Sequence, residues 1–228
     1  METLQLFFVS KTLLTYICPP MKNKRTENLL QKSRELFMKF GIKNLTMDDI
    51  ARELCMSKKT IYQSVDNKAE LVERVIQNYL EEENVDLDKI YARADNAIDE
   101  IIAIIDYFIE RMRGLNSTAV HDMKKHYPEA WSHYNTYRFN NALRRITENL
   151  MRGIKEGAYR ADMNATTIAR IYLGGIDNLL SPEYFPVPEY HFIEVYKEYQ
   201  YYHLRGIVTE QGLKILEANN LFTKQETK

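Results

Sequence analysis

From residue 26 onward, apolar side chains recur every three or four residues, and few chain breakers interrupt them. The 228 residues include only 8 glycines and 6 prolines, about half the usual share. A chain so poor in tight-turn residues is suited to long helices. It shows no strand pattern with hairpin signals and no internal repeat. The expected fold is all-α, with about nine or ten helices. A compact chain of this length buries roughly 70% of its unfolded surface, so its core stands without staples. Two cysteines, Cys18 and Cys55, make no disulfide framework and read as free thiols in a reducing cytoplasm.

The N-terminus carries an apolar run, Leu4 to Ile17, broken by Ser10, Lys11, Thr12 and Thr15. It falls short of the ~20 residues a membrane span needs. Its start, Met1-Glu2-Thr3, is not the cationic start of a secretory signal. Cys18-Pro19-Pro20 stops any helix, and Met21 then leads into Lys22-Asn23-Lys24-Arg25. Translation is expected to begin at Met21, with residues 1–20 an extension and no membrane partner. The competing expectation is a short membrane-adhering tail.

The helices can be placed by their stops and caps. Leu29, Leu30, Ser33, Leu36, Phe37 and Phe40 share one face of a first helix that Gly41 ends. Thr46, with Asp49 three residues on, opens a second helix in a capping-box arrangement. That helix turns Met47, Ile50, Ala51 and Leu54 inward. Ser57 caps a third helix of about eight residues, through about Ser64, on the order of 12 Å long. Asn67 and Glu70 open a long fourth helix with Leu71, Val72, Val75, Ile76, Tyr79 and Leu80 on one face. Six further helical stretches follow: Asn96 to Arg113, Ser117 to His126, Pro128 to Glu156, Ala165 to Leu180, Glu189 to Arg205, and Thr209 to Ala218. Gly157 closes the third of these, Asn164 caps the fourth, and Ser181 to Pro188 is a loop.

Three helices within about 40 residues, the second and third joined by a tight turn, have helix-turn-helix spacing. In such a unit the third helix enters the major groove and the second crosses the backbone. The exposed side chains of the third are rich in donors: Ser57, Lys58, Lys59, Thr60, Tyr62 and Gln63. Ile61 and Val65 turn back to the small core. Lys58, Lys59, Thr60 and Gln63 are the candidates for reading base edges, since Lys can read guanine and Gln adenine.

Residues 27–76 resemble the TetR-type bacterial regulators. Four submotifs carry the resemblance, in order: Leu36-Phe37-Met38-Lys39-Phe40-Gly41, Thr46-Met47-Asp48-Asp49-Ile50-Ala51, Ser57-Lys58-Lys59-Thr60-Ile61-Tyr62, and Asn67-Lys68-Ala69-Glu70-Leu71. The resemblance implies that Thr46, Tyr62 and Lys68 contact phosphates. Thr46 and Lys68 stand at helix N-termini, where free N–H groups and the dipole favour an anion. Cys55 departs from the family pattern, standing where a turn glycine is usual. Lys59 replaces a common glycine, and Val65 a frequent phenylalanine.

The formal net charge of −1 conceals an asymmetry. Residues 21–76 hold 12 basic and 8 acidic side chains, a sum of +4, and the rest hold 19 and 24, a sum of −5. Attraction to phosphate therefore belongs to the N-terminal quarter. The histidines His121, His126 and His133 miss the i, i+4 spacing of a helical metal pair, so no metal site is expected. There is no glycine-rich phosphate loop, nucleophile elbow or zincin motif, and no catalytic residue or cofactor is expected.

The middle of the chain carries an aromatic load that suits either an apolar pocket with polar anchors or a core of packed helices. The family resemblance implies the pocket. Tyr107, Met112, Met123, Trp131, Tyr134 and Tyr172 are its candidate lining, for an unidentified small-molecule effector. It also implies a dimer interface near 165–180 and 189–205. Gly174-Gly175 would allow close helix approach there, and Tyr196, Tyr199, Tyr202 and His203 would supply aromatics. The expected organisation is a helix-turn-helix domain at 21–66 and a helical ligand-binding and dimerisation domain at 67–228. The expected function is a homodimeric, cytoplasmic, effector-responsive regulator, a repressor on a palindromic double-stranded DNA operator. The alternatives are a protein-interaction scaffold of the same fold and a small all-helical enzyme.

Overall fold

A computed structural model of the chain describes residues 24–113, 118–179, 181, 183–186 and 189–219. The extension before Lys24, with Cys18 and the Met21 start, lies outside these residues, as does part of the proline loop.

The described residues are all-helical. The first four helices are α1 (Lys24–Phe40), α2 (Met47–Glu53), α3 (Lys58–Tyr62) and α4 (Lys68–Arg93). Next come α5 (Ala97–Met112), α6 (Thr118–His126) and α7 (Pro128–Tyr137). A π segment, Arg138–Ala142, runs directly into α8 (Leu143–Lys155). The chain then forms α9 (Ala165–Leu179), α10 (Phe192–Ile207) and α11 (Glu210–Ala218). The expected long stretch from Pro128 is thus one continuous helix with a single π turn inside it.

The starts form where side chains close them. Thr46 and Asp49 make the full capping box on α2. Ser57 Oγ accepts the Thr60 N–H at 3.1 Å, and Asn67 Oδ1 accepts the Glu70 N–H at 3.0 Å. Gly41 and Gly157 both take the left-handed backbone that ends a helix, at φ 79 and 74. Cys55 is the one non-glycine residue with positive φ (50) among the described residues, at the position where the sequence pattern has a glycine.

Two hydrophobic clusters organise the molecule. The head cluster joins α1 to α3 and the start of α4, with Leu29, Phe37, Ile50, Ile61, Val65 and Leu71 all buried. It also takes in Met123 and Ala130 from α6 and α7. The body cluster gathers α5, α8, α9, α10 and α11 around Ile98, Ile105, Leu150 and Leu204. The long helix α4 belongs to both regions, since it packs along α1 and α7 and against α5.

A buried polar clasp holds the α4–α5 turn on α8. Asn149 Nδ2 donates to the Ala97 carbonyl and to Glu100, both at 2.9 Å. Arg152 bridges Glu100 (3.0 Å) and Glu156 (2.7 Å), and Glu156 accepts the Ala97 N–H at 2.8 Å. Among the described residues a single antiparallel bridge, Tyr159 with Val208, ties the segment after α8 to the turn between α10 and α11. Gly212 packs so close beneath it that a Cβ would lie 2.1 Å from the Ala158 oxygen.

Three local expectations are corrected. Phe40 does not join the α1 core face; its ring is exposed beneath the Lys39 ammonium at 5.0 Å. The third helix is five residues, not eight: Gln63 N–H still bonds the Lys59 oxygen at 3.1 Å, but Ser64 N–H turns to the Ile61 oxygen in tighter i→i−3 fashion at 2.8 Å. The aromatic face of α10 turns inward. Tyr196 is buried, His203 lies 4.5 Å from the Tyr172 ring, and Tyr199 donates to the Tyr172 carbonyl at 2.7 Å. Gly175 makes room for that Tyr199 hydroxyl, which a Cβ would approach to 2.2 Å. Of the four aromatics expected at the surface, Tyr202 alone is widely exposed.

Candidate nucleic-acid interface and effector cavity

In the head, α3 shows its donor side to solvent. Ser57, Lys58, Lys59, Tyr62 and Gln63 are exposed, and Thr60 is half-buried. Ile61 is fully buried and anchors the helix from behind. Among the described residues, the side chains of Lys59, Tyr62 and Gln63 have no intramolecular partner, which leaves their donors open. Ser57 and Thr60 hydroxyls bond each other at 2.8 Å, and Lys58 is paired with Asp48 of α2. Thr46 donates its hydroxyl proton to Asp49 at 2.6 Å while accepting the Asp49 N–H. These hydrogen bonds from Thr46, then the Arg52 guanidinium, hold the Asp49 carboxyl below the ordinary carboxylate value.

Lys68 occupies a position that spacing did not reveal. Its ammonium donates to the Ile42 carbonyl at 2.6 Å and lies 5.8 Å from the Tyr127 ring. Burial lowers its pKa, against the pull of Asp122 and Asp49. The next residue of the α1–α2 loop, Lys43, donates its N–H to the buried Asp122 of α6 at 2.9 Å. The loop beneath the helix-turn-helix is therefore tied to α4 and to α6 at adjacent residues.

The body encloses a cavity of about 130 Å³ between α4, α5, α7, α8, α9 and α10. Of the six candidate pocket residues, Met112, Tyr134 and Tyr172 line it. Tyr107 and Trp131 do not. Tyr107 packs edge-on against Phe108 at 5.3 Å, with its hydroxyl buried and unpaired. Trp131 packs on the head cluster. Met123 lines a second cavity of about 110 Å³, between α1, α4, α5, α6 and α7.

The polar groups of the body cavity were missed from sequence. Glu83 is buried and bonded by the Tyr79 hydroxyl, and burial raises its pKa against the effects of Tyr79, Arg111 and Arg138. Arg138 pairs with Asp177. Arg145 donates to Asn84 at 2.8 Å and Asp88 at 2.5 Å, lies 4.5 Å from the Tyr91 ring, and leaves its Nε buried without a partner. The arrangement is an apolar chamber with a few fixed polar groups, the usual form of a small-molecule site. Among the described residues no helix is long and apolar enough to cross a membrane.

The molecule is thus a helix-turn-helix head on an all-helical body with an internal cavity. Residues 29–75 match the family model for bacterial regulatory proteins of the tetR family. The chain is 25% identical over 142 residues to the HTH-type transcriptional regulator YvaF of Bacillus subtilis, covering 62% of this chain and 74% of YvaF. A TetR-family regulator from Agrobacterium tumefaciens has the same fold, with a TM-score of 0.68 at 16% identity, covering 81% of this chain and 98% of that one. A transcriptional regulator from Saccharomonospora viridis in complex with choline matches with a TM-score of 0.67 at 17% identity, over 82% and 98% of the two chains. The helix-turn-helix head is thus that of the tetR family of bacterial regulatory proteins, and the chain as a whole is similar to transcription regulators that carry it.

Proposed function

We propose that the protein is a homodimeric repressor of the cytoplasm, released from a near-palindromic operator by a small molecule, and not an enzyme. One observation carries the reading. Helix α4 lines the body cavity through Tyr79, Glu83, Leu87 and Tyr91 and begins at Lys68, beside the helix-turn-helix. Its 26 residues span roughly 39 Å, so a small tilt at the cavity becomes a displacement of the head. Two recognition helices must sit about one DNA turn apart, so changing their separation weakens binding. The effector needs to prefer the non-binding spacing by ~1–3 kcal/mol. The fold neighbour that holds choline supports small-molecule binding by this architecture. The dimer reading draws support from Ile171 of α9 and Tyr202 of α10, large apolar side chains that stay exposed in the single chain.

In this reading Lys59, Tyr62 and Gln63 contact the duplex directly. Ser57, Lys58 and Thr60 adjust from their present partners, and Thr46 presents the start of α2 to a phosphate. Selection of binding sites from random duplexes by the purified protein is the direct test. Enrichment of an inverted repeat, with affinity falling steeply as salt rises, is expected. Enrichment of no sequence would refute the reading. Lys68→Ala should weaken binding to all sequences and lower the salt slope by about one. An unchanged slope would assign Lys68 to holding the α1–α2 loop alone.

A further inference from the structure

The two cavities share three lining side chains, Tyr79, Met112 and Tyr134. These three form the wall between a near chamber in the body and a far chamber against the head. The two tyrosines are rigid rings, whereas Met112 is an unbranched chain with three rotatable bonds that yields to a neighbour at little cost. We propose that the two chambers are one binding site for a single elongated, mostly apolar molecule, its polar end in the near chamber and its hydrocarbon arm passing Met112 to end against α1. The proposal rests on the effector reading above and names the class of effector.

The near chamber supplies what a polar end requires. Arg145 Nε is buried with no acceptor, while Asn84 and Asp88 take the other side of the guanidinium. A buried donor of this kind is normally paired, and a hydroxyl, ether or carbonyl oxygen on the ligand would pair it. The far chamber supplies what an arm requires. Its two charged side chains are already engaged, Arg34 with Glu82 at 2.5 Å and Arg111 with Asp86 at 3.6 Å. The rest of its wall is apolar, with Phe37, Met38, Ile42 and Val75 foremost. Two small chambers joined at a neck match an unbranched chain and exclude a compact ring system of the same mass.

The far chamber also touches the control point of the head. Ile42 lines it, and the Ile42 carbonyl holds Lys68 while the adjoining Lys43 N–H holds Asp122. An arm that reaches this wall bears on the loop tying α1 to α4 and α6. A molecule confined to the near chamber does not.

The test uses the full chain and the n-alkanols from butanol to decanol, with binding followed by calorimetry and DNA affinity measured separately. In the wild type, affinity should rise about fourfold per methylene through the whole series. In Met112→Trp, which blocks the neck, the rise should stop at intermediate length. Met38→Phe, which fills the far chamber from α1, should also stop the rise, and it serves if the bulkier variant does not fold. A rise that stops at one common length in the wild type and both variants overturns the two-chamber site, whether or not DNA is released. A rise that continues only in the wild type, with DNA affinity unchanged, upholds the site and removes the effector reading beneath it.

Discussion

In the head, α2, α3 and α4 each open on a residue whose side chain accepts an N–H of the helix's own first turn: Thr46, Ser57 and Asn67. In the body, α7 and α10 open with no such bond, and the continuous helix of α7 and α8 holds a π turn. The body's decisive contacts run between distant residues instead: Asn149 to Ala97, Arg152 to Glu100, Arg145 to Asn84. Local caps recur in the body, at Asn96, Asn164 and Thr209; what sets it apart is the polar bonding between residues more than fifty apart. A segment built from local bonds keeps its shape while the remainder diverges. This fits a family match confined to residues 29–75 beside fold neighbours at under one-fifth identity.

The contrast can be broken most forcibly at Gly212. Replacing it with alanine drives a Cβ into the Ala158 backbone oxygen, and the loss should be about 3 kcal/mol. The single tryptophan, Trp131, packs on the head cluster. In Gly212→Ala, circular dichroism should therefore lose helix at lower urea than Trp131 fluorescence changes. Coincident transitions would show that head and body unfold as one unit.

A smaller effect sharpens the head's side of the comparison. Thr46→Ala removes the cap of α2 and should cost about 1 kcal/mol, with the Trp131 signal following it. Of similar size and opposite sign, Cys55→Gly relieves a left-handed backbone on an exposed residue and should add about 1 kcal/mol. A Cys55→Gly variant that melts earlier would mean the thiol makes a contact that outweighs its backbone strain.

The mildest test concerns Glu83 and depends on pH. Burial raises its pKa above 4.5, so the folded state holds its proton more tightly than the unfolded state does. The stability linked to that proton is present below pH 4.5 and is lost as pH rises through the folded value. Glu83→Gln keeps a neutral side chain throughout. It should match the wild type in acid and exceed it toward neutral pH in thermal melts. A constant difference across pH would remove Glu83 as the titrating group.

The same division explains what could be read from the chain beforehand. The caps at Thr46, Ser57 and Asn67, the stops at Gly41 and Gly157, and the odd Cys55 were all legible, because each rests on neighbours within four residues. The inward face of α10 was not. A helical repeat groups Tyr196, Tyr199 and His203 on one side but cannot say whether α9 or a second subunit covers them. Tyr107 and Trp131 were placed in the pocket because aromatic content cannot separate a packed ring from a cavity wall. Glu83, Arg138 and Arg145 stand on long helices, where sequence alone cannot tell a charge that faces a cavity from one that faces solvent. A signal existed for Glu83, which stands one turn beyond Tyr79 and between the buried Leu80 and Leu87.

The π turn at Arg138–Ala142 has a consequence for how such a chamber changes over time. Its two ends, Arg138 and Ala142, both face the cavity, and π turns of this kind gather at functional sites. Each residue in a helix advances it by about 100°. The turn therefore absorbs one extra residue that would, in an unbroken helix, carry everything after it round by that angle. Arg145, Ile146 and Asn149 hold their places on the wall because it does. This stretch of the chain can thus gain or lose one codon while the side chains beyond it stay on the same face of the chamber.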